Sequence, residues 1–339
     1  MHFRKTIAIL AIGITASAAL AQLPSNAVLK TFRINSGGGW DYISVSPLSE
    51  NIYVSHGTQV NILNKTNGDS VGVIRGTIGV HGIVFAPSIN KGFISNGRLN
   101  NLYVFDALTN QITDSIPTGE NPDAMCYDAY SNRIIVGNGR SKSASIIDAA
   151  SNKVITTIPL SGKPEAIVSD EAGTIFINVE DKNAVAVVNI KAGKIKTYYQ
   201  LKSGEEPGGL AIDRKSGTLF VACGGNNKLL VLEAKTGNQK AILPIGEKND
   251  ALAFDVKSGI VYASNGDGTL TMIRSQKGVY KVVGTIITKP GARTIAIDPI
   301  TQLLYLPTAD FEHQPLHASE RPKMIPGTFE ILVVGSTNK

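Results

Sequence analysis

Seven positions recur at near-constant spacing, and six of them carry residue types able to do chemistry. They are Asp41, His81, Asp123, Glu165, Gly208, Asp250 and Arg293, separated by 40, 42, 42, 43, 42 and 43 residues. Four carboxylates, an imidazole and a guanidinium gathered around one opening would suit a cation, a sugar-like polyol or a cationic peptide. Crowded carboxylates raise one another's pKa values, and Arg293 would offset that. The same residue types have a plainer use at strand starts, where they accept backbone N–H hydrogen bonds and hold turns.

Other residues extend this set. Trp40, the only tryptophan, directly precedes Asp41 and could stack on a ligand ring or wedge between packed sheets. Beyond the first 21 residues the histidines are His56, His81, His313 and His317. With Asp310, the last three form a candidate set for zinc or another divalent metal. The spacing Asp310–His313–His317 matches no specific metal motif. No nucleophile elbow, phosphate loop or covalent-haem motif is present.

The elements that must position these residues follow from the repeat. Two residues after each start stands a bulky apolar side chain: Ile43, Ile83, Met125, Ile167, Leu210, Leu252 and Ile295. The next position is small or β-branched, from Ser44 to Ala296, which is strand-like alternation. Asp follows five residues after the start in five repeats, then a turn such as Lys257-Ser258-Gly259. Second strands read Asn51 to Ser55 or Lys91 to Ser95, third strands Leu102 to Asp106, and fourth strands Val154 to Ile158. Four short strands per repeat of about 42 residues predict an all-β, seven-bladed propeller with four-stranded blades.

An open solenoid is the rival, and the chain ends separate the two. Ile or Leu stands seven residues before each start, including Ile34 before Asp41, where no full repeat precedes. Residues 28–34 therefore read as a fourth strand lacking its first three. The last repeat ends in a third strand at 328–334 and lacks a fourth. Their pairing would close the ring and remove an exposed sheet edge. Inner strands would then begin, and second strands end, on one face. That adds His56, Asn96, Arg98, Asn138, Arg140, Asn226, Asn265 and Asp267 to the rim. A loop at 308–327 in blade seven, holding Asp310, Glu312, His313, His317, Arg321 and Lys323, should lie over this mouth.

The second strands also carry a family likeness. Tyr53-Val-Ser-His56, Phe93-Ile-Ser-Asn96 and Tyr262-Ala-Ser-Asn265 resemble the Tyr-Val-Thr-Asn signature of YVTN-repeat propellers, and Asn121-Pro-Asp123 and Lys163-Pro-Glu165 are similar to their blade ends. The likeness covers residues 22–339, and it is strongest to the exported, YncE-like members. Val179, Cys223 and Thr308 depart from it by replacing Asn. The resemblance implies fold and export rather than an activity, because that family holds binding proteins and enzymes alike.

Composition agrees with a secreted β protein. Hydrophobic residues make up 42% and charged residues 18%, a globular balance. Residues 1–21 have the layout of a signal peptide: Arg4 and Lys5, an apolar stretch, then Ala19-Leu20-Ala21. The apolar run is shorter than the roughly 20 residues a membrane span needs. Its removal leaves 31 basic residues (33 less Arg4 and Lys5) against 27 acidic, a mild +4. Arg98, Arg140 and Lys142 lack the interleaved aromatics of a nucleic-acid groove. Cys126 and Cys223, two repeats apart, are expected as buried free thiols.

These features predict a monomeric, periplasmic or secreted module that binds a small molecule or a protein at the mouth without catalysis. The alternative is a lactonase- or lyase-like enzyme, with or without a divalent metal, using His81, Glu165 and Arg293 as base, acid and anion clamp.

Overall fold

The computed structural model describes residues 26–35, 37–312 and 323–337. The expected signal peptide at 1–21, His313, His317 and Arg321 therefore lie outside the described residues. Seven four-stranded antiparallel sheets form the blades of a ring. In chain order their inner strands are Trp40–Val45, Val80–Ala86, Pro122–Asp128, Pro164–Ser169, Pro207–Asp213, Asn249–Asp255 and the short Ala296–Ile297. Among the described residues no helix is long and apolar enough to cross a membrane.

Closure follows the sequence reading, with small shifts at the strand ends. Asn26–Arg33 pairs with Glu330–Ser336 in the seventh sheet, with Val28 opposite Val334 and Arg33 opposite Glu330. The second strand of that blade runs Leu304–Thr308, so the intervening segment spans 309–329. Lys65 of blade one reinforces the join. Its ammonium lies 3.0 Å from Asp298 of blade seven and 3.2 Å from Glu50, and Lys65 and Asp298 are both buried. The Tyr305 hydroxyl donates to the Lys65 carbonyl at 3.0 Å.

The core is distributed around the ring. Each of seven apolar clusters sits between two adjacent blades, including one between blades seven and one. That last cluster joins Phe32, Phe329 and Val333 to Ile43, Ile52 and Leu63. Second strands are covered on both faces, and Ile52, Tyr53 and Val54 are fully buried. Two-sided burial explains why these strands read as continuous apolar runs.

The aspartates after the inner strands hold turns on the opposite face. Asp255 accepts from the Lys257 N–H and the Ser258 hydroxyl, and Asp213 from the Lys215 N–H and the Ser216 hydroxyl. Both cysteines are free thiols, Cys223 buried and Cys126 only half-buried. Cys126 packs against the apolar cluster between blades three and four.

Candidate functional site

A repeated irregularity in the ladders aims the site residues. In blades one to five, two partner residues on the second strand span three on the inner strand: Trp40 pairs with His56 but Ile43 with Val54, and Pro122 with Asn138 but Met125 with Val136. Blades two, four and five repeat this shift, and blade six has it between Asn249 and Ala251. Each is a β-bulge, which kinks the strand and redirects a side chain. Asp41, His81, Asp123, Glu165 and Asp250 all occupy bulge positions.

The third residue of the second-strand motif holds these bulges in place. The Ser55 hydroxyl accepts from the Asp41 N–H at 3.1 Å, and the Ser95 hydroxyl accepts from the Gly82 N–H at 2.7 Å. Ser95 donates onward to the Asp123 carbonyl of blade three, and Ser264 to the Arg293 carbonyl of blade seven. Asn178 takes this role toward the Gly208 carbonyl. Thr294 of blade seven donates to the Asp41 carbonyl at 2.6 Å. A small hydroxyl thus supplies the hydrogen bond that the bulge removes from the ladder and pins the next blade.

The recurring positions converge on one recessed mouth. His81 donates from Nδ1 to the Asp41 carboxylate at 2.6 Å, with Asp123 3.7 Å from the same nitrogen. Arg293 donates from Nε to Asp250 at 2.6 Å and reaches within 3.9 Å of Asp41. Lys163 bridges Glu165 at 2.5 Å and Glu180 at 2.7 Å. Gly208 leaves a gap in the ring.

Burial and mutual repulsion govern the protonation of this cluster. Desolvation, then the Asp41 charge, pushes the Asp123 carboxyl up to about 7. Desolvation and the Asp123 charge push Glu165 up to about 8, against the pull of Lys163. Asp250 is raised by burial despite Arg293. Burial lowers the His81 pKa, but its hydrogen bond to Asp41 and the nearby carboxylates outweigh this and raise it. The cluster is short of positive charge, so it holds protons.

Three participants escaped the sequence reading. Lys163 sits two residues before Glu165, and Glu180 immediately follows the second strand of blade four, where rim residues were expected. The third is Tyr42. At the position after each start, the other blades have Gly82, Ala124, Ala166, Gly209, Ala251 and Thr294. That column is small except for one Tyr, and the small residues make room for it. Tyr42 packs across the channel against the cluster containing Ala124 and Ile167 and lines a cavity of about 190 Å³. Burial and the charges of Asp123 and Asp41 hold its hydroxyl well above the usual phenol range.

Other expected rim residues lie elsewhere. Asn96, Asn138 and Asn265 are fully buried, with their amides donating to Asn101, Ser143 and Thr269 of the adjacent third strands. They knit the blade together instead of lining the mouth. His56 is also buried, stacked on Phe329 at 4.0 Å with Nε2 2.9 Å from the Gly38 carbonyl. Burial lowers its pKa. Trp40 lies against Phe329 and Phe311, with centroids 5.3 and 5.9 Å away, so it wedges between the ring and the loop base.

The described part of that loop is an ordered stem. Phe311 bridges to Met324, and the Ile325 N–H donates to the Asp310 carbonyl. Asp310 pairs with Lys289 at 2.7 Å, and Lys289 also holds Glu330 at 2.6 Å. Among the described residues, the group of possible metal-ligand atoms is Asp41, His81 and Asp123, all within 4.8 Å of one another. Asp310 is not part of it.

No family model matches, and no curated protein matches. Among solved structures, a chain of Kuenenia stuttgartiensis hydrazine synthase superposes with a TM-score of 0.71. The match covers 81% of this chain and 93% of that one, at 14% sequence identity. The likeness is one of fold. At that identity it shows the fold alone and assigns no role to the mouth residues.

Proposed function

We propose that this chain is an exported propeller of the YVTN-repeat kind that binds a cationic ligand at the channel mouth without converting it. The observation that carries the reading is the charge balance of the funnel. Among the described residues, the carboxyl groups of Asp41, Asp123, Glu165, Glu180 and Asp250 have two fixed cations within ion-pair distance, Arg293 and Lys163. A recessed acidic funnel attracts and concentrates cations. Tyr42 in the throat favours a ligand that seats in the mouth over one that threads the ring. The signal-like leader and the second-strand motifs support export and the family.

Thermal-shift measurements test this reading. Divalent metal chlorides, spermidine and an Arg/Lys-rich peptide would be compared with neutral sugars and small anionic lactones. Stabilisation by one or more of the cations, lost in the Asp123→Asn/Glu165→Gln double variant, is the expected result. Stabilisation only by neutral or anionic compounds would overturn it.

A second reading, lactone hydrolysis, draws on one observation: the carboxylate of Asp41 orients the His81 imidazole as it would a general base. Against it, Asp250 and Asp41 already engage Arg293, which leaves no ready anion clamp. Turnover of a lactone panel that disappears in both His81→Ala and Glu165→Gln would establish the enzyme instead.

A further inference from the structure

We infer that the mouth holds a divalent transition-metal ion on the Nδ1 of His81 and one carboxylate oxygen each from Asp41 and Asp123. This rests on the cationic-ligand reading above and names the ligand. Three observations carry it.

First, the donor atoms are already gathered. All three lie within 4.8 Å of one another, with Asp41 and Asp123 at 2.6 and 3.7 Å from the His81 nitrogen. Ligands bonded at about 2.0–2.2 Å to one ion stand roughly 3–3.6 Å apart, so sub-ångström side-chain shifts would complete the set. One imidazole with two carboxylates suits zinc, manganese, iron or cobalt, whereas calcium and magnesium favour all-oxygen shells.

Second, Asp123 lacks a partner of its own. Asp250 has Arg293, Glu165 has Lys163, and Asp41 takes the His81 hydrogen bond. Among the described residues Asp123 accepts no side-chain or backbone hydrogen bond, and its nearest cationic group is His81 at 3.7 Å. A recessed carboxylate without a donor is costly unless a cation or a proton supplies one.

Third, the donors are fixed from behind. The Asp41 backbone is held by Ser55 and Thr294, and the Asp123 carbonyl by Ser95. The three ligands come from three consecutive blades, so the ring presets their spacing. The ion takes the Nδ1 lone pair of His81, so a neutral ring carries its proton on Nε2, and a doubly protonated ring releases one proton to solvent.

Isothermal titration of chelator-treated protein with zinc, manganese and cobalt chlorides tests the inference, repeated in buffers of different ionisation enthalpy. The expected result is one ion per chain, a buffer-dependent heat from proton release at a pH where the His81 ring is doubly protonated, and a cobalt absorption spectrum with an imidazole ligand. His81→Gln and Asp123→Asn should each weaken affinity at least about tenfold. The His313→Ala/His317→Ala variant should bind normally. Circular dichroism and melting curves would confirm that each variant folds.

Absence of binding in the wild type, unchanged binding in a folded His81→Gln variant, or loss of binding in the loop variant overturns it. If metals fail while spermidine or the basic peptide still stabilises the protein through Asp123 and Glu165, this inference falls and the binding-module reading stands. If none of them binds, both fall.

Discussion

The Nδ1 of His81 in blade two lies 2.6 Å from a carboxylate oxygen of Asp41 in blade one, joining the two blades across the mouth. This contact raises the His81 pKa against the effect of burial. In an NMR titration of chelator-treated protein, the His81 ring should titrate above the ordinary histidine value of about 6.5 and move down in Asp41→Asn. Because its folded pKa is raised, His81 stabilises the fold below that ordinary value. The contribution disappears as pH climbs through the folded pKa.

The acids of the mouth predict a pH dependence of the same sign. Asp123 at about 7 and Glu165 at about 8 hold protons in the fold that the unfolded chain has released. Their relative stabilisation is full below the ordinary carboxylate range and is lost as pH rises through 7 and 8. Melting curves of the metal-free protein should therefore fall over that window, and Asp123→Asn should flatten the fall.

Ring closure predicts a destabilisation of a different kind. Lys65→Ala leaves the buried Asp298 without its cation and should cost about 3 kcal/mol in denaturant unfolding. Hydrogen bonds from Ile300 and Thr301, and the Lys65 ion pair, outweigh burial and hold Asp298 below its usual range. Its stabilising contribution should therefore vanish as pH falls through that depressed value. Asp298→Asn should make the wild-type acid transition shallower.

Tyr42→Ala should open the throat that Tyr42 now fills. The loss of packing against blades three and four should cost about 1–3 kcal/mol, less than a sealed core site because solvent can enter the channel. Denaturant midpoints would measure this, and a dye small enough for the widened channel should bind only the variant.

Much of the fold was legible because it is written as local periodicity. The 42-residue spacing, the apolar residue two places after each start and the orphan strands at both ends are linear facts, and sheet closure follows from the need to cover exposed edges. The list of rim residues was less complete. Strand alternation would place Asp41 and Ile43 on the same face, yet the bulge at Asp41–Tyr42 turns one to the mouth and buries the other between blades. A bulge satisfied by Ser55 leaves little trace in a single chain.

By itself, then, the sequence determined the ring and the seven recurring inner-strand positions, since both follow from regular spacing. Only the tertiary structure decided which charges meet. It gave Glu165 to Lys163, Asp250 to Arg293 and Asp310 to Lys289, withdrew His56 beneath Phe329, and left Asp41, His81 and Asp123 together. The contacts of His81 with Asp41 and of Arg293 with Asp250 depend on side-chain reach across a blade boundary, between residues 40 and 43 positions apart. Periodicity does not encode that reach.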